Sequence, residues 1–146
     1  MAVEVLDTDI RGLFDSPVNA VVVPGWFAHE RIGGRPKLGR SQVLSNSAGA
    51  VGKAKWVVTT PPFAADTEQA EEYCVPKWPD QPEQQGFETF SRVLAAIEEH
   101  NSHDADRIES VGFEPEFLNF SVAYEEEARG VVRAVRGQTE SVRLTK

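Results

Sequence analysis

The chain has 146 residues, 40% of them hydrophobic, with a formal net charge of −8 and a pI near 4.9. That length suits one domain, able to bury about two-thirds of its unfolded surface without a metal or disulfide staple, and the charge argues against wrapping nucleic acid or lying on an anionic membrane, whose phosphates would be repelled. Cys74 is the only cysteine, so no internal disulfide is possible, a reducing compartment is implied and the cytoplasm is the expected location.

No stretch approaches the ~20 apolar residues of a membrane span, and Met1-Ala2-Val3-Glu4 lacks the basic start of a signal peptide, so neither an anchor nor a leader is expected. Val3, Val5 and Leu6 predict a short first strand, ended by Asp7-Thr8-Asp9. A turn follows over residues 10–17. Asn19 to Val23 is nearly continuous Val and Ala, the pattern of a central strand covered on both faces. It stops at Pro24-Gly25; Trp26-Phe27 and a charged loop closing on Gly33-Gly34 come next. Leu38 to Ala48 predicts a weak helix with Val43 and Leu44 inward, although Ser, Asn and Gly there work against it.

Trp56 to Thr60 reads as a third strand, stopped by Pro61-Pro62. From Phe63 to Gln85 the composition turns to Pro, Glu, Asp and Gln without clear periodicity, which predicts a long loop with a helical turn near Glu68 to Glu72. Phe87, Phe90, Val93, Leu94 and Ile97 recur at helical spacing and predict an amphipathic helix from Phe87 to His100. Ile108 to Phe113 is a fourth strand, broken by Glu114-Pro115. Tyr124, Ala128, Val131, Val132 and Val135 predict a second helix, with Glu125 to Glu127 near its positive end, Arg133 and Arg136 near its negative end and Gly137 as its stop. Val142 and Leu144 suit a last edge strand.

Strands alternating with helices imply an α/β domain with a mainly parallel sheet and helices on its faces. Ligands of such sheets sit beyond the carboxyl ends of the strands. The loops after Val23, Thr60 and Phe113 therefore converge on one rim, and that rim is the expected site.

As a whole, from about Val3 to Gly137, the chain resembles a diverged macro domain, the fold that binds ADP-ribose and related nucleotides. Thr8-Asp9-Ile10 stands where that family has a Gly-Asp-Ile turn, Asn19-Ala20-Val21-Val22-Val23-Pro24-Gly25-Trp26 where it reads Asp-Ala-Ile-Val-Asn-Ala-Ala-Asn, and Ile32-Gly33-Gly34 near its glycine-rich phosphate and ribose loop. Lys55 to Pro62 is similar to its strand ending near a Gly-Pro, and Arg107 to Phe113 with the last helix is similar to its final strand, phosphate loop and helix. The resemblance implies a three-layer sandwich, a mixed and mostly parallel sheet with helices on both faces, over residues 1–146 as a single domain.

It also implies a ligand site built from Asp9, Ile10, Pro24, Gly25, Trp26, Phe27, Gly33, Gly34, Arg35, Asn119 and Phe120, with Asp9 accepting a hydrogen bond from an adenine amino group. Val23 and Trp26 replace both motif asparagines, and Glu114-Pro115-Glu116-Phe117-Leu118-Asn119-Phe120 replaces a usually glycine-rich loop. Two carboxylates near a diphosphate are unfavourable, so binding without the usual hydrolysis is the expected function.

Each residue also has a plainer role. Asp9 ends a strand as turn residues do, Pro24-Gly25 is a strand-ending turn as readily as a close approach to ligand, and Trp26 or Phe27 either stacks on a base or covers the core. Arg35, Lys37 and Arg40 add local positive charge that favours a phosphate. His29-Glu30 lacks the second histidine of a zinc-protease helix, and His100, His103, Asp104 and Asp106 belong to the opposite rim. Neither a metal nor another cofactor is expected. Cys74 reads as a small apolar filler. The alternatives are an ADP-ribosyl hydrolase with rearranged groups, for which Glu30, Asp66 and Glu114 are the candidate bases, and a protein-interaction module whose partner meets the 63–85 loop through Tyr73 and Trp78.

Overall fold

The structure is a computed structural model that describes residues 3–7, 17–35, 37, 39–46, 49, 51–61, 81–113, 124–136 and 142–145; for 3–7, 26, 124–128, 136 and 142–145 it describes the backbone alone. In chain order the elements are β1 (Val3–Asp7), β2 (Ala20–Val23), α1 (Gly25–Ile32), β3 (Val43–Ser45), β4 (Trp56–Thr59), α2 (Pro82–His103), β5 (Ser110–Phe113), α3 (Tyr124–Arg136) and β6 (Val142–Thr145). The strands form one six-stranded sheet in the order β3-β4-β2-β5-β1-β6. Neighbours run parallel except at the β3 edge, where Val43, Leu44 and Ser45 pair antiparallel with Val58, Val57 and Trp56. The fold is α/β with a mixed sheet.

β2 lies between β4 and β5, and all four of its residues are buried. Strand alternation sends Ala20 and Val22 to one face and Val21 and Val23 to the other. The first pair joins a core with Val58, Val111 and Phe113 from the sheet, Phe90, Val93, Leu94 and Ile97 from α2, and Val131, Ala134 and Val135 from α3. The second pair packs with Val57, Ala28 of α1, Val51 and Ala54, with Phe27, Ile32 and Leu44 against them. Each large side chain buried this way contributes roughly 1.5–3 kcal/mol, against about 0–1 kcal/mol for an exposed ion pair such as Arg133 with Glu83. The two apolar clusters, more than the surface charges, hold the sheet between its helices.

α2 extends beyond the predicted Phe87 to His100 at both ends. Its buried face is Gln85, Gly86, Thr89, Phe90, Val93, Leu94, Ile97 and Asn101, so polar residues carry the helical stripe where apolar ones stop. Gln85 Nε2 donates to Thr89 Oγ1 at 3.2 Å, and Pro82 is tolerated in the first turn, where its missing N–H costs no hydrogen bond. α3 crosses the start of α2 closely at Gly130. A Cβ there would stand 1.9 Å from the Glu83 carbonyl oxygen and 2.6 Å from the Phe87 nitrogen.

Two stretches differ from expectation. The segment after Pro24, expected as a charged loop, is the two-turn helix α1; Ala28 and Ile32, four apart, anchor it to the second core. Residues 38–48 were expected as a weak helix, yet the strand β3 lies within them. Gly39, at φ 73°, forms a turn before it, and pairing with β4 outweighs the weak local helix preference of Val43 and Leu44. The predicted helical turn near Glu68 to Glu72, Tyr73, Cys74, Trp78 and the stop at Gly137 lie outside the described residues. Among the described residues no helix is long and apolar enough to cross a membrane.

Candidate functional site at the carboxyl rim

The direction in which each chain leaves the sheet marks the rim at which α/β sheets take their ligands. After β2 the backbone turns at Pro24 into α1, which packs on the second face through Ala28. The helices that follow β4 and β5 in sequence, α2 and α3, both pack on the first face. β2 is thus flanked on each side by a strand whose next helix lies on the opposite face, the arrangement that opens a cleft at the carboxyl ends of an α/β sheet.

The described floor of this rim is tightly built. Thr60 N–H donates to Val23 O at 3.0 Å, extending the β2–β4 ladder past its last paired residues. Thr59 N–H donates to Gln42 O at 2.9 Å, and Gln42 N–H returns a bond to Thr59 Oγ1 at 3.0 Å. Thr59 and Thr60 are buried, as are Gly25 and Pro61. Buried hydroxyl-bearing residues at a strand end cost stability unless they are bonded, and Thr59 meets that requirement through the Gln42 backbone.

α1 begins at this rim. Its N-cap, Pro24 at φ −57° and ψ 145°, makes no side-chain cap bond, and the first turn contains no acidic residue. A helix start without a side-chain carboxylate or hydroxyl cap and without a first-turn acid sets no side-chain anion against its positive dipole end. Ala28 N–H already donates to Pro24 O at 3.1 Å.

The expected site residues separate along α1. Pro24 and Gly25 stand at the rim. Trp26 follows in the first helical turn, with only its backbone described. Phe27 is half-buried against the second core, with the Arg31 guanidinium 4.1 Å from its ring centroid; of its two readings, covering the core is the one this packing serves. Gly33 and Gly34 stand past the far end of α1, about 12 Å along the axis at 1.5 Å per residue. Gly33 adopts φ 105°, its N–H donates to His29 O at 3.0 Å, and its carbonyl lies 3.0 Å from His29 Nδ1. Arg35 is exposed, and its carbonyl accepts from Gln42 Nε2 at 2.9 Å. Glu30 is exposed on α1. Asp9, Ile10, Asp66, Glu114, Asn119 and Phe120 lie outside the described residues.

The polar cluster at the end of α2 sits at the amino rim. His100 Nε2 lies 2.8 Å from Asp106 O and its ring meets Trp56 edge-on at 4.5 Å. Asp106 N–H donates to Asp104 Oδ1, and Asp106 also pairs with Lys55. Among the described residues no group of three metal-binding side chains comes together.

Sequence reasoning gave no side-chain role to three asparagines that the fold uses. Asn46 Nδ2 donates to the carbonyls of Val51, Gly52 and Ala54 at 2.8, 3.2 and 2.7 Å, and Asn46 Oδ1 accepts from Val51 N–H at 2.8 Å. Asn101 bonds both backbone groups of Ile108, and Asn19 Oδ1 accepts from Glu109 and Ser110 N–H. In sequence an asparagine beside glycine or at a strand start reads as turn punctuation, so only its position three residues before Gly49 hinted at Asn46's role. The chain matches no family model and no curated protein.

Proposed function

We propose that this chain binds ADP-ribose or a related NAD-derived or adenosine-containing nucleotide in the carboxyl-rim crevice, as a macro-like three-layer domain without the usual catalytic asparagines, and that it does so in the cytoplasm. The observation that carries this reading is the β2 terminus. Pro24-Gly25 brings the chain to the cleft and α1 starts there with no side-chain cap and no first-turn acid, which suits the phosphates of a nucleotide. Trp26 in that turn supplies a ring for the base or ribose, and Asp9 is the group assigned to the adenine amino hydrogen.

Calorimetry and thermal shift with ADP-ribose, NAD and adenosine test the reading. The expected result is saturable heat and a raised melting temperature with ADP-ribose, both weakened by Asp9→Ala and by Trp26→Ala. Absence of heat and of any shift with all three compounds overturns it. Release of free ADP-ribose from a modified acceptor, lost on Glu30→Gln or Glu114→Gln, would replace binding by hydrolysis.

A further inference from the structure

A second recess lies at the sheet edge, between residues 37–43 and the later turns of α2, with a volume of about 810 Å³. None of its lining comes from β2 or α1, so it is separate from the proposed nucleotide site. Its charges are of both signs, and the fold sets them at opposite ends. α2 runs against the strand direction: its His100 ring meets Trp56, the first residue of β4, at 4.5 Å, while its Phe90 ring meets Phe113, the last residue of β5, at 5.1 Å. The Arg92 level of α2 therefore faces the carboxyl end of the sheet, and Glu99, seven residues and about 10 Å further along the helix, faces the other end.

The facing wall follows the same division. Gln42 bonds Thr59 at the carboxyl end of β4, so Arg40, two residues earlier, and Lys37, whose carbonyl accepts from Arg40 N–H at 3.0 Å around Gly39, stand at that end. Arg92 is there too, already paired with Glu88. At the opposite end stand Glu99, Asp104 and the exposed His103 imidazole. Asp104 Oδ1 there accepts from Asp106 N–H and His100 Nε2 is engaged with Asp106 O, which leaves the exposed Glu99 carboxylate as the uncommitted anion. Lys37 and Arg40 share the recess with Glu99, yet among the described residues none of the three forms an ion pair. Val43 and the small side chain of Ala96 lie between the two ends.

We infer that this recess binds a short peptide with free termini, a dipolar ligand whose carboxylate lies against Lys37 and Arg40 and whose ammonium lies against Glu99. Charge and length select it together. A ligand of one sign loses at one end what it gains at the other, whereas a ligand with opposite ends gains at both. Three extended residues span about 10 Å, the separation of the two levels on α2, and a single zwitterionic amino acid is too short to reach both.

The test titrates the whole, isotope-labelled chain with trialanine and reads amide signals by NMR, with the N-acetylated and the C-amidated peptides as controls. Free trialanine is expected to move the signals of Val43, Ala96 and Glu99 saturably, and blocking either terminus to weaken binding by up to about fivefold, the most that an exposed charge pair supplies. Arg40→Gln is expected to weaken the free and acetylated peptides and to leave the amidated one unchanged. Glu99→Gln is expected to weaken the free and amidated peptides and to leave the acetylated one unchanged, which assigns each terminus to its end of the recess. The blocked peptides need no substitution, so the result does not depend on how the variants fold. Absence of movement at about 10 mM peptide, above a millimolar Kd, or equal affinity of the free and blocked peptides overturns the inference. Loss confined to the amidated peptide, or the same signal movement with inorganic phosphate alone, overturns it as well, making the recess a small-anion site.

Discussion

Among the described residues, the two rims of the sheet are held by different chemistry. At the amino rim, three asparagine side chains act as substitute backbone. Asn19 ties β2 to the start of β5, Asn101 ties the end of α2 to Ile108, and Asn46 gathers the loop between β3 and β4. The Asn46 and Asn101 amides both donate and accept, and Asn19 Oδ1 accepts twice, so they satisfy loop groups that no strand or helix reaches. At the carboxyl rim the described contacts are mainly backbone to backbone, with Thr59 Oγ1 and Gln42 Nε2 as side-chain exceptions, and α1 starts there without a side-chain cap. A rim whose polar groups are consumed by its own side chains has little left for a ligand. Among the described residues the amino rim is thus the end whose side chains are spent on holding loops, and the carboxyl rim is the end to which the proposed nucleotide is assigned.

The sharpest break comes from the helices that start at the carboxyl rim. Gly130→Ala puts a Cβ 1.9 Å from the Glu83 carbonyl oxygen, and a main-chain atom cannot swing away as a side-chain end can. Overpacking of this kind costs about 3 kcal/mol or more, expected as a lower urea midpoint with the denaturant slope unchanged. If Gly130→Ala keeps the wild-type midpoint, α2 and α3 do not cross this closely.

Asn46→Ala is expected to follow, at about 2–3 kcal/mol, because it strands the buried carbonyls of Val51 and Ala54 together with the Val51 N–H. Asn101→Ala leaves both backbone groups of Ile108 unpaired beside a fully buried side chain and is expected to cost about 2 kcal/mol. Both losses are read by urea denaturation. Neither variant is expected to change nucleotide affinity while folded, and a loss of affinity in either would break the division between the rims.

The same division explains what could be read from the sequence. The Val-rich run of β2 and the apolar stripe from Phe87 to Ile97 are signals of burial, and burial decided those elements. The carboxyl rim followed from alternating strands and helices. α1 stayed hidden because two turns between Pro24 and Gly33 offer only Ala28 and Ile32 at helical spacing, too few to outweigh the charges between them. β3 stayed hidden because its conformation is imposed by β4. The asparagine staples need partners five to ninety-one residues away, so their role exists only in the folded chain. Likewise the change of helix face on either side of β2 depends on which face each helix takes, which no local pattern encodes.

The smallest effect tests the Thr59 side chain, which joins β4 to Gln42 at the carboxyl rim. Thr59→Val keeps the β-branched shape and removes only Oγ1, leaving Gln42 N–H without its acceptor at 3.0 Å. Because Gln42 is half-buried, water can replace part of that bond, and the expected loss is about 1 kcal/mol. The Thr59 N–H to Gln42 O bond remains, so β3 should keep its register. The consequence is directional: Gln42 also holds Arg35 O through its side chain, and loosening Gln42 loosens its hold on Arg35 at the carboxyl end of the sheet. Thr59→Val is therefore expected to change the exchange rates of amides 37–42 more than those of 51–56, measured by hydrogen exchange. The reverse order would mean that the amino-rim staples, and not the Thr59 contact, set the position of the β3 edge.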